Sequence, residues 1–379
     1  MSNAAGELLD RVRGVVPLIA ERAADAEQQR KPDDEVIQAL RDTGVFKSFV
    51  PKRYGGYELD LETYAEIGIA VAEACPSTGW ITTFYMEHNW LLGMFAPETQ
   101  DAIFSTQPYI LAPGAVNPSG RATKGDGHYE LSGTWQFGTG IVHADWALLS
   151  AVVEGGDSPF PRMFLVRTDE IEVKDTWHVD GMAATGSRDI VARAVQVPFR
   201  RVSSVGLGAS RGDDGYLRRI PVMPFLALTA GVPAIGCARR SVQLFRARMA
   251  ERVLFGTAKR QAETTPAQIR LGNVTVRAAM AEATMRGAAR EMAAHARGEI
   301  DLTPLDHPRL RLTIAHVVRQ CRDVVRDVLE ASGAGAHFLD NELQRVHRDV
   351  HMIAAHTIFD VDAAGLDLGR ALLKADGSS

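Results

Sequence analysis

The sequence predicts a mainly helical α+β fold in three parts, and three changes of pattern along its 379 residues support this prediction. Residues 1–108 repeat apolar side chains at helical spacing, which indicates an N-terminal helical domain. Residues 109–210 change to short apolar runs separated by Gly and Pro turns, which indicates a central antiparallel β-domain. Residues 211–379 return to long Ala- and Arg-rich periodic segments, which favour a C-terminal four-helix bundle.

The composition is that of an ordinary globular protein and narrows the class of ligand. Hydrophobic residues make up 46% and charged residues 23%, and the net charge is −5, so no basic surplus is present for nucleic acid or an anionic membrane. The three cysteines are far apart and lack zinc-ligand spacing, which indicates a reducing compartment and no metal site. The N-terminus lacks a signal core, and no apolar run of about 18 residues occurs. We therefore expect a cytoplasmic protein with a small-molecule substrate.

The N-terminal domain is predicted to contain five helices, of which the fourth is strongly aromatic. The predicted helices are residues 6–29, 36–43, 61–74, 77–95 and 97–105. His88 stands among the rings of the fourth helix. A single histidine on an apolar helix is more often a packed core residue than a catalytic one, although its pKa near neutrality suits proton transfer in a pocket. Both readings of His88 stay open from the sequence.

The central domain contains a glycine-rich stretch, Leu131 to Val152, between two strand-like runs. It offers exposed amides, the Thr139 hydroxyl and the rings of Trp135 and Phe137. A planar cofactor could lie against such a corner. A glycine-rich turn with two core aromatics would give the same pattern.

The C-terminal domain is predicted from long periodic segments whose ends are marked by glycine and proline. The segments are residues 222–256, 266–297, 304–332, 341–358 and 361–375. Such a bundle also offers a surface for association between chains.

Four motifs in order resemble one family. W-Q-F-G-T-G at 135–140, followed by A-D-W, resembles the W-x-F-S-S-G…D-W segment of the two-component flavin-dependent monooxygenases, which share the acyl-CoA dehydrogenase-like fold. The W…G-M-A-A-T-G-S-R-D run at 177–189 and the L-Q-R-V-H-R-D-V-H tail at 343–351 resemble the matching segments of this family. E-R-V-L-F-G at 251–256 is similar to the end of a long helix in the superfamily. The resemblance covers nearly the whole chain.

The resemblance implies a reduced flavin, FMNH2 or FADH2, with dioxygen as co-substrate. The residues that it assigns to the flavin are Trp135, Phe137, Gly138, Thr139, Gly140, Thr185, Ser187, Arg252, Phe255 and Arg348. In the superfamily the arginine and phenylalanine of the E-R-x-x-F-G segment reach the cofactor of a neighbouring subunit, which implies a homotetramer. The chain departs from the family at Gly138, where Ser or Ala is usual, and at Thr139, where Ser is usual.

The reaction implied by the resemblance is hydroxylation of an aromatic, phenolic compound. Dioxygen adds to the reduced flavin to give a C4a-hydroperoxide, and Thr139 is the expected hydrogen-bond partner of flavin N5. We expect His356 to deprotonate the phenol as a general base and His88 to orient the same hydroxyl. No G-x-G-x-x-G follows a strand, so the resemblance also implies a separate NAD(P)H-dependent flavin reductase.

Two other enzymes and one non-enzymatic role remain as alternatives. An acyl-CoA dehydrogenase with bound FAD usually carries a catalytic Glu after the R-D pair, whereas this chain has His351 to His356 there and no carboxylate until Asp360. Glu251 or Glu282 on earlier helices keeps this alternative open. A flavin-dependent N-hydroxylase of an amine or amino sugar is the second alternative. A flavin-free helical scaffold is disfavoured because the aromatic and hydroxyl residues of both motifs are retained.

Overall fold

The computed structural model describes residues 3–155, 161–203 and 215–375. Within these ranges the chain forms eleven α-helices and one six-stranded sheet, with the sheet between two helical parts. The predicted fold class is confirmed. The predicted boundary between the second and third domains, near residue 210, lies outside the described residues.

The N-terminal part contains five helices, of which α4 is almost entirely buried. They are α1 (Asn3–Gln29), α2 (Asp34–Thr43), α3 (Leu61–Ala74), α4 (Pro76–Leu91) and α5 (Pro97–Phe104). Side-chain oxygens of Asp33 and Asp60 cap α2 and α3, as short acceptor side chains do at helix N-termini. Every residue of α4 except Phe84 is buried, so its polar side chains lie inside the molecule.

The sheet is antiparallel apart from one pair of strands. Its strands are β1 (Gly114–Lys124), β2 (His128–Gly138), β3 (Trp146–Val153), β4 (Arg162–Arg167), β5 (Glu172–Lys174) and β6 (Arg188–Pro198). Their order is β4-β3-β1-β2-β6-β5. Strands β1 and β3 pair in parallel, because the chain leaves β2 at one end of the sheet and enters β3 from that same end. Pairing of this kind depends on the path of the connection, and hydrophobic alternation carries no information about it.

The C-terminal part contains the predicted bundle. Its helices are α6 (Tyr216–Arg219), α7 (Val222–Glu251), α8 (Thr265–Ala296), α9 (Asp306–Ser332), α10 (Glu342–Ala354) and α11 (Val361–Ala375). Helix α7 is long and apolar enough to cross a bilayer by composition alone, but 83% of its apolar window is buried inside the protein. It is therefore the core helix of this bundle.

Candidate functional site

Three hydroxyl side chains meet where the sheet touches α4, and we call Thr139, Thr185 and Ser187 the hydroxyl corner. The Ser187 hydroxyl is 2.7 Å from Thr185 Oγ1 and 3.2 Å from Thr139 Oγ1. Trp80 of α4 donates its indole N–H to Thr139 Oγ1 at 3.3 Å. All three hydroxyl residues are buried, with Thr139 the most accessible at 9%. The two predicted flavin motifs are therefore adjacent in space.

The hydrogen-bond directions leave one hydroxyl hydrogen of the corner available. Thr185 can donate to the Met182 carbonyl at 2.9 Å. Thr139 accepts from the Trp80 indole and from Ser187, and within the described ranges its hydroxyl hydrogen has no acceptor. A buried donor without an acceptor is costly unless a ligand supplies one. The corner therefore suits a ligand with an acceptor atom next to Thr139.

The backbone around Thr139 is shaped by close contacts that require glycine. Gly140 has φ +70°, and a Cβ there would lie 2.4 Å from the Tyr85 hydroxyl oxygen, which donates to the Gly140 carbonyl. A Cβ at Gly138 would lie 2.8 Å from the Arg188 carbonyl oxygen of β6. Gly138, the departure from the family pattern, is thus explained by packing of β2 against β6.

The segment that carries Thr185 and Ser187 is held by α10. Asp349 accepts from the Met182 amide at 2.5 Å. Arg348 donates to the Asp180 carbonyl and forms an ion pair with Glu27 of α1 at 2.6 Å. The adjacent Arg and Asp of the tail motif therefore fix the position of the second flavin motif.

A stripe of rings on α4 connects the two histidines of the predicted site. Trp80, Phe84 and His88 follow each other at intervals of one helical turn, with centroid distances of 4.7 and 5.4 Å. The ring of His356 lies 5.7 Å from that of Trp80, edge to face. Trp80 thus contacts both Thr139 and His356, whereas His88 lies at the other end of the stripe, beyond Phe84.

His356 is the N-terminal cap of the turn Thr357–Phe359, and this sets its tautomer. Its Nδ1 accepts from the Ile358 amide at 3.2 Å, so the proton of the neutral ring is on Nε2. His356 is exposed in the single chain, and desolvation by neighbouring atoms lowers its pKa. A neutral ring with an occupied Nδ1 can donate through Nε2 but has no free lone pair. In this conformation the capping bond uses the only acceptor nitrogen, so the base role expected for His356 stays a prediction and requires that bond to open.

His88 has the opposite tautomer. Its Nδ1 lies 2.5 Å from the Ala112 carbonyl oxygen, and a carbonyl only accepts, so Nδ1 carries the hydrogen and Nε2 has the lone pair. Burial lowers the pKa of His88 to about 4, and the hydrogen bond to Ala112 acts against this. His88 is therefore neutral at pH 7, and its acceptor nitrogen Nε2 lies 3.3 Å from the buried carboxyl of Glu87.

Trp135 does not lie at the corner. Its ring is 1% exposed and fills the space left by two glycines, where Cβ atoms at Gly120 and Gly133 would come within 2.1 and 2.9 Å of it. Its indole donates to the Ser150 carbonyl at 2.8 Å. The expected flavin contact of Trp135 is corrected to a core position inside the sheet. Phe137, by contrast, is 62% exposed.

The three flavin residues expected from the helical domain also lie away from Thr139 in the single chain. The Arg252 guanidinium donates to the Ser332 carbonyl at 2.8 Å and so caps the end of α9. The Arg348 guanidinium is occupied by the contacts described above. The Phe255 side chain is fully exposed. The flavin contact expected for Phe255 stays a prediction.

Three residues of this region received no role from the sequence: Trp80, Glu87 and Asp349. The spacing of Trp80 from His88, two helical turns, was a usable signal that both lie on one helix face. The buried carboxylates of Glu87 and Asp349 gave no signal, because an acidic residue on a helix is usually exposed.

Comparison with protein families agrees with the fold. Residues 5–104 match the acyl-CoA dehydrogenase N-terminal domain, and residues 228–361 match the acyl-CoA dehydrogenase C-terminal domain. The pigment production hydroxylase of Rhodococcus sp. (strain ATCC 21145) is 33% identical, over 97% of this chain and 96% of its own length. The oxygenase component of p-hydroxyphenylacetate 3-hydroxylase from Acinetobacter baumannii is 28% identical, over 97% of this chain and 89% of its own.

Solved structures show the same arrangement. XiaF from Streptomyces sp., in complex with FADH2 and glycerol, superimposes with a TM-score of 0.92 at 27% identity and covers 98% of this chain and 96% of its own. The HsaA monooxygenase from M. tuberculosis superimposes with a TM-score of 0.90 at 25% identity, with 98% of each chain covered.

Proposed function

Because the chain belongs to the flavin-dependent monooxygenases of the acyl-CoA dehydrogenase-like superfamily, we propose that it hydroxylates a phenolic ring as the oxygenase component of a two-component system. As a member of this family it is an oxidoreductase that uses reduced flavin and dioxygen. The observation that carries the proposal is the row of rings on α4, in which Trp80 contacts both Thr139 and His356 while His88 lies two helical turns further on, beyond Phe84.

The residues of the corner fit a flavin in their chemistry. Thr139 offers a hydroxyl hydrogen without an acceptor, Gly140 brings the backbone close, and Phe137 presents an exposed ring. We place Gly138, Thr185 and Ser187 in the same contact surface. When bound, the reduced flavin supplies the electrons that activate dioxygen. The protein would hold one edge of the flavin against the buried hydroxyl corner, away from water, and would donate a hydrogen bond to it.

The two histidines have different parts in the proposal. His88 offers a lone pair at Nε2 and would accept the hydroxyl proton of the phenol, which increases electron density on the ring carbon that is attacked. His356 offers its Nε2–H and would donate a hydrogen bond to an oxygen atom of the bound ligand. This exchanges the roles first assigned to the two residues, for the tautomer reasons given above.

Partners and cofactor identity complete the proposal. The Acinetobacter relative is named as an oxygenase component, which supports a separate NAD(P)H-dependent flavin reductase. We propose FAD over FMN because XiaF was solved with FADH2. A homotetramer is proposed because the Phe255 ring and one face of α8 are exposed in the single chain. A cytoplasmic location is part of the same proposal.

The test supplies purified protein with chemically reduced flavin, dioxygen and simple phenols. We expect hydroxylated product only when free reduced flavin is supplied. The dehydrogenase alternative predicts instead that an acyl-CoA reduces bound flavin. Of the carboxylates considered for it, Glu251 is exposed at the end of α7 and Glu282 is paired with Arg286 at 2.8 Å. Reduction of the flavin by an acyl-CoA would contradict the proposed function.

A further inference from the structure

Glu87 and His88 are neighbours on α4 and both lie in the core, with side chains 0% and 2% exposed. Glu87 Oε2 is 3.3 Å from His88 Nε2. A buried carboxylate is costly and is rarely retained without a charged or hydrogen-bonded partner. Packing alone does not explain an acidic side chain at this position.

The geometry around His88 directs Nε2, and not Nδ1, toward the carboxylate. Nδ1 is held by the Ala112 carbonyl at 2.5 Å. A Cβ at Gly114 would lie 2.5 Å from Nε2, so this position of the ring requires glycine at residue 114. The ring is therefore fixed at one edge, while the other edge has an acceptor nitrogen beside an acidic group.

We propose that Glu87 acts through His88: its carboxylate stabilises a proton at Nε2 and so allows His88 to take the hydroxyl proton of a phenolic substrate. The O–H bond of the phenol breaks, its electron pair stays on the oxygen, and the proton forms an N–H bond at Nε2. The charge of the resulting imidazolium is balanced by Glu87. Glu87 is thus a positioning residue, and the inference rests on the proposed function.

The electrostatics of the site require such a partner. Burial lowers the pKa of His88 to about 4, so the ring alone is a weak base toward a phenol. An adjacent negative charge acts in the opposite direction. Tyr64 of α3 also faces Glu87, and burial, with this charge, raises the pKa of Tyr64 well above its usual value. Tyr64 therefore stays a neutral phenol and does not compete for the proton. The other histidine of the site, His356, is separated from the pair by Phe84 and Trp80.

The experiment measures the ionisation of bound 4-nitrophenol, whose phenolate is coloured. The protein is loaded anaerobically with chemically reduced FAD, so the probe binds without turnover, and absorbance is recorded against pH. In Glu87→Gln, which keeps the shape but removes the charge, we expect the pKa of the bound probe to rise by about one unit or more, or about tenfold less phenolate at a given pH. Thr82→Val, a buried hydroxyl on the same helix, should leave the titration unchanged.

A second variant separates this role from a structural one. In a His88→Gln background, Glu87→Gln should cause no further shift, because Glu87 acts only through His88. Glu87→Asp, which keeps the charge, should restore part of the phenolate signal, and Glu87→Ala, which also removes the charge, replaces Glu87→Gln if that variant does not fold. An unchanged titration in folded Glu87→Gln overturns the role of Glu87 and leaves the proposed function standing. Absence of phenol hydroxylation by the wild-type enzyme overturns both.

Discussion

At the scale of single residues, hydrogen-bond direction decides what each side chain of the site can do. Thr139 accepts two hydrogen bonds, and its own hydroxyl hydrogen is available to a ligand. His356 accepts one hydrogen bond at Nδ1, and its Nε2–H is available as a donor. His88 alone among the three has an unoccupied acceptor nitrogen. Two histidines of identical chemistry thus become a donor and an acceptor because different backbone groups occupy their Nδ1 atoms.

Thr139→Val removes the available hydroxyl and keeps the side-chain shape. If this hydroxyl holds the oxygenated flavin, the loss of one hydrogen bond of about 1 kcal/mol should increase wasteful release of hydrogen peroxide several-fold. The measurement is the fraction of consumed dioxygen recovered as peroxide. Thr134→Val, at an exposed position of the preceding strand β2, is the matched control. An unchanged peroxide fraction would remove Thr139 from the site.

His356→Gln and His356→Ala distinguish a donor from a base. A glutamine amide can replace the N–H donor, but it cannot accept a proton at neutral pH. We expect His356→Ala to slow hydroxylation about tenfold, and His356→Gln to recover most of the rate. A thermal melt of both variants accounts for any loss of stability. If the hydroxylation rate falls equally in both variants, by about 10²-fold or more, His356 acts as a base.

At the scale of elements, α10 orders the second flavin motif through a buried carboxylate. Burial raises the pKa of Asp349 from an ordinary value of 3.8 to about 7, while its hydrogen bond from the Met182 amide acts against this. Glu27 adds to the increase, and Arg345 and Arg348 oppose it. The folded protein therefore keeps this proton over a range of pH in which the unfolded chain has released it.

This difference predicts that stability falls as pH rises. The contribution of Asp349 to the free energy of unfolding is fully present below about pH 4 and is lost as the pH rises through about 7. Because each pKa unit corresponds to about 1.4 kcal/mol, the total loss approaches roughly 4 kcal/mol. Asp349→Asn removes this group, so melting temperatures measured from pH 5 to 8 should show a flatter profile than those of the wild type. Parallel profiles for the two proteins would show that Asp349 is ionised in the folded state at every pH tested.

The elements also show what sequence could and could not predict. Most helix positions followed from periodicity, but α7 ends at Glu251 and α10 at Ala354, before the predicted ends at residues 256 and 358. The parallel pairing of β1 with β3 depends on the path of the connection between β2 and β3, and the core position of Trp135 depends on its contacts with Gly120 and Gly133. No local pattern specifies either. The roles of Glu87 and Asp349 depend on burial, which composition does not reveal.

At the scale of the whole molecule, the exposed apolar residues are arranged for association. Three of them, Ile269, Val276 and Met280, form a stripe at helical spacing on α8, and each is 58–59% exposed. The fully exposed Phe255 lies on the connection between α7 and α8. Apolar stripes of this kind on an otherwise polar surface mark interfaces between proteins.

Val276→Glu places a charge in this stripe and should separate the proposed tetramer into smaller species. A charged side chain that becomes buried without a partner at an interface opposes association strongly, while in the single chain position 276 is solvated and the fold should persist. Light scattering coupled to size-exclusion chromatography measures the mass, and circular dichroism checks the helices. Val173→Glu, at an exposed valine of edge strand β5, is the control. If Phe255 contacts the flavin of a neighbouring chain, affinity for reduced flavin should fall together with the mass in Val276→Glu. Dissociation with unchanged flavin affinity would show that each chain completes its own site.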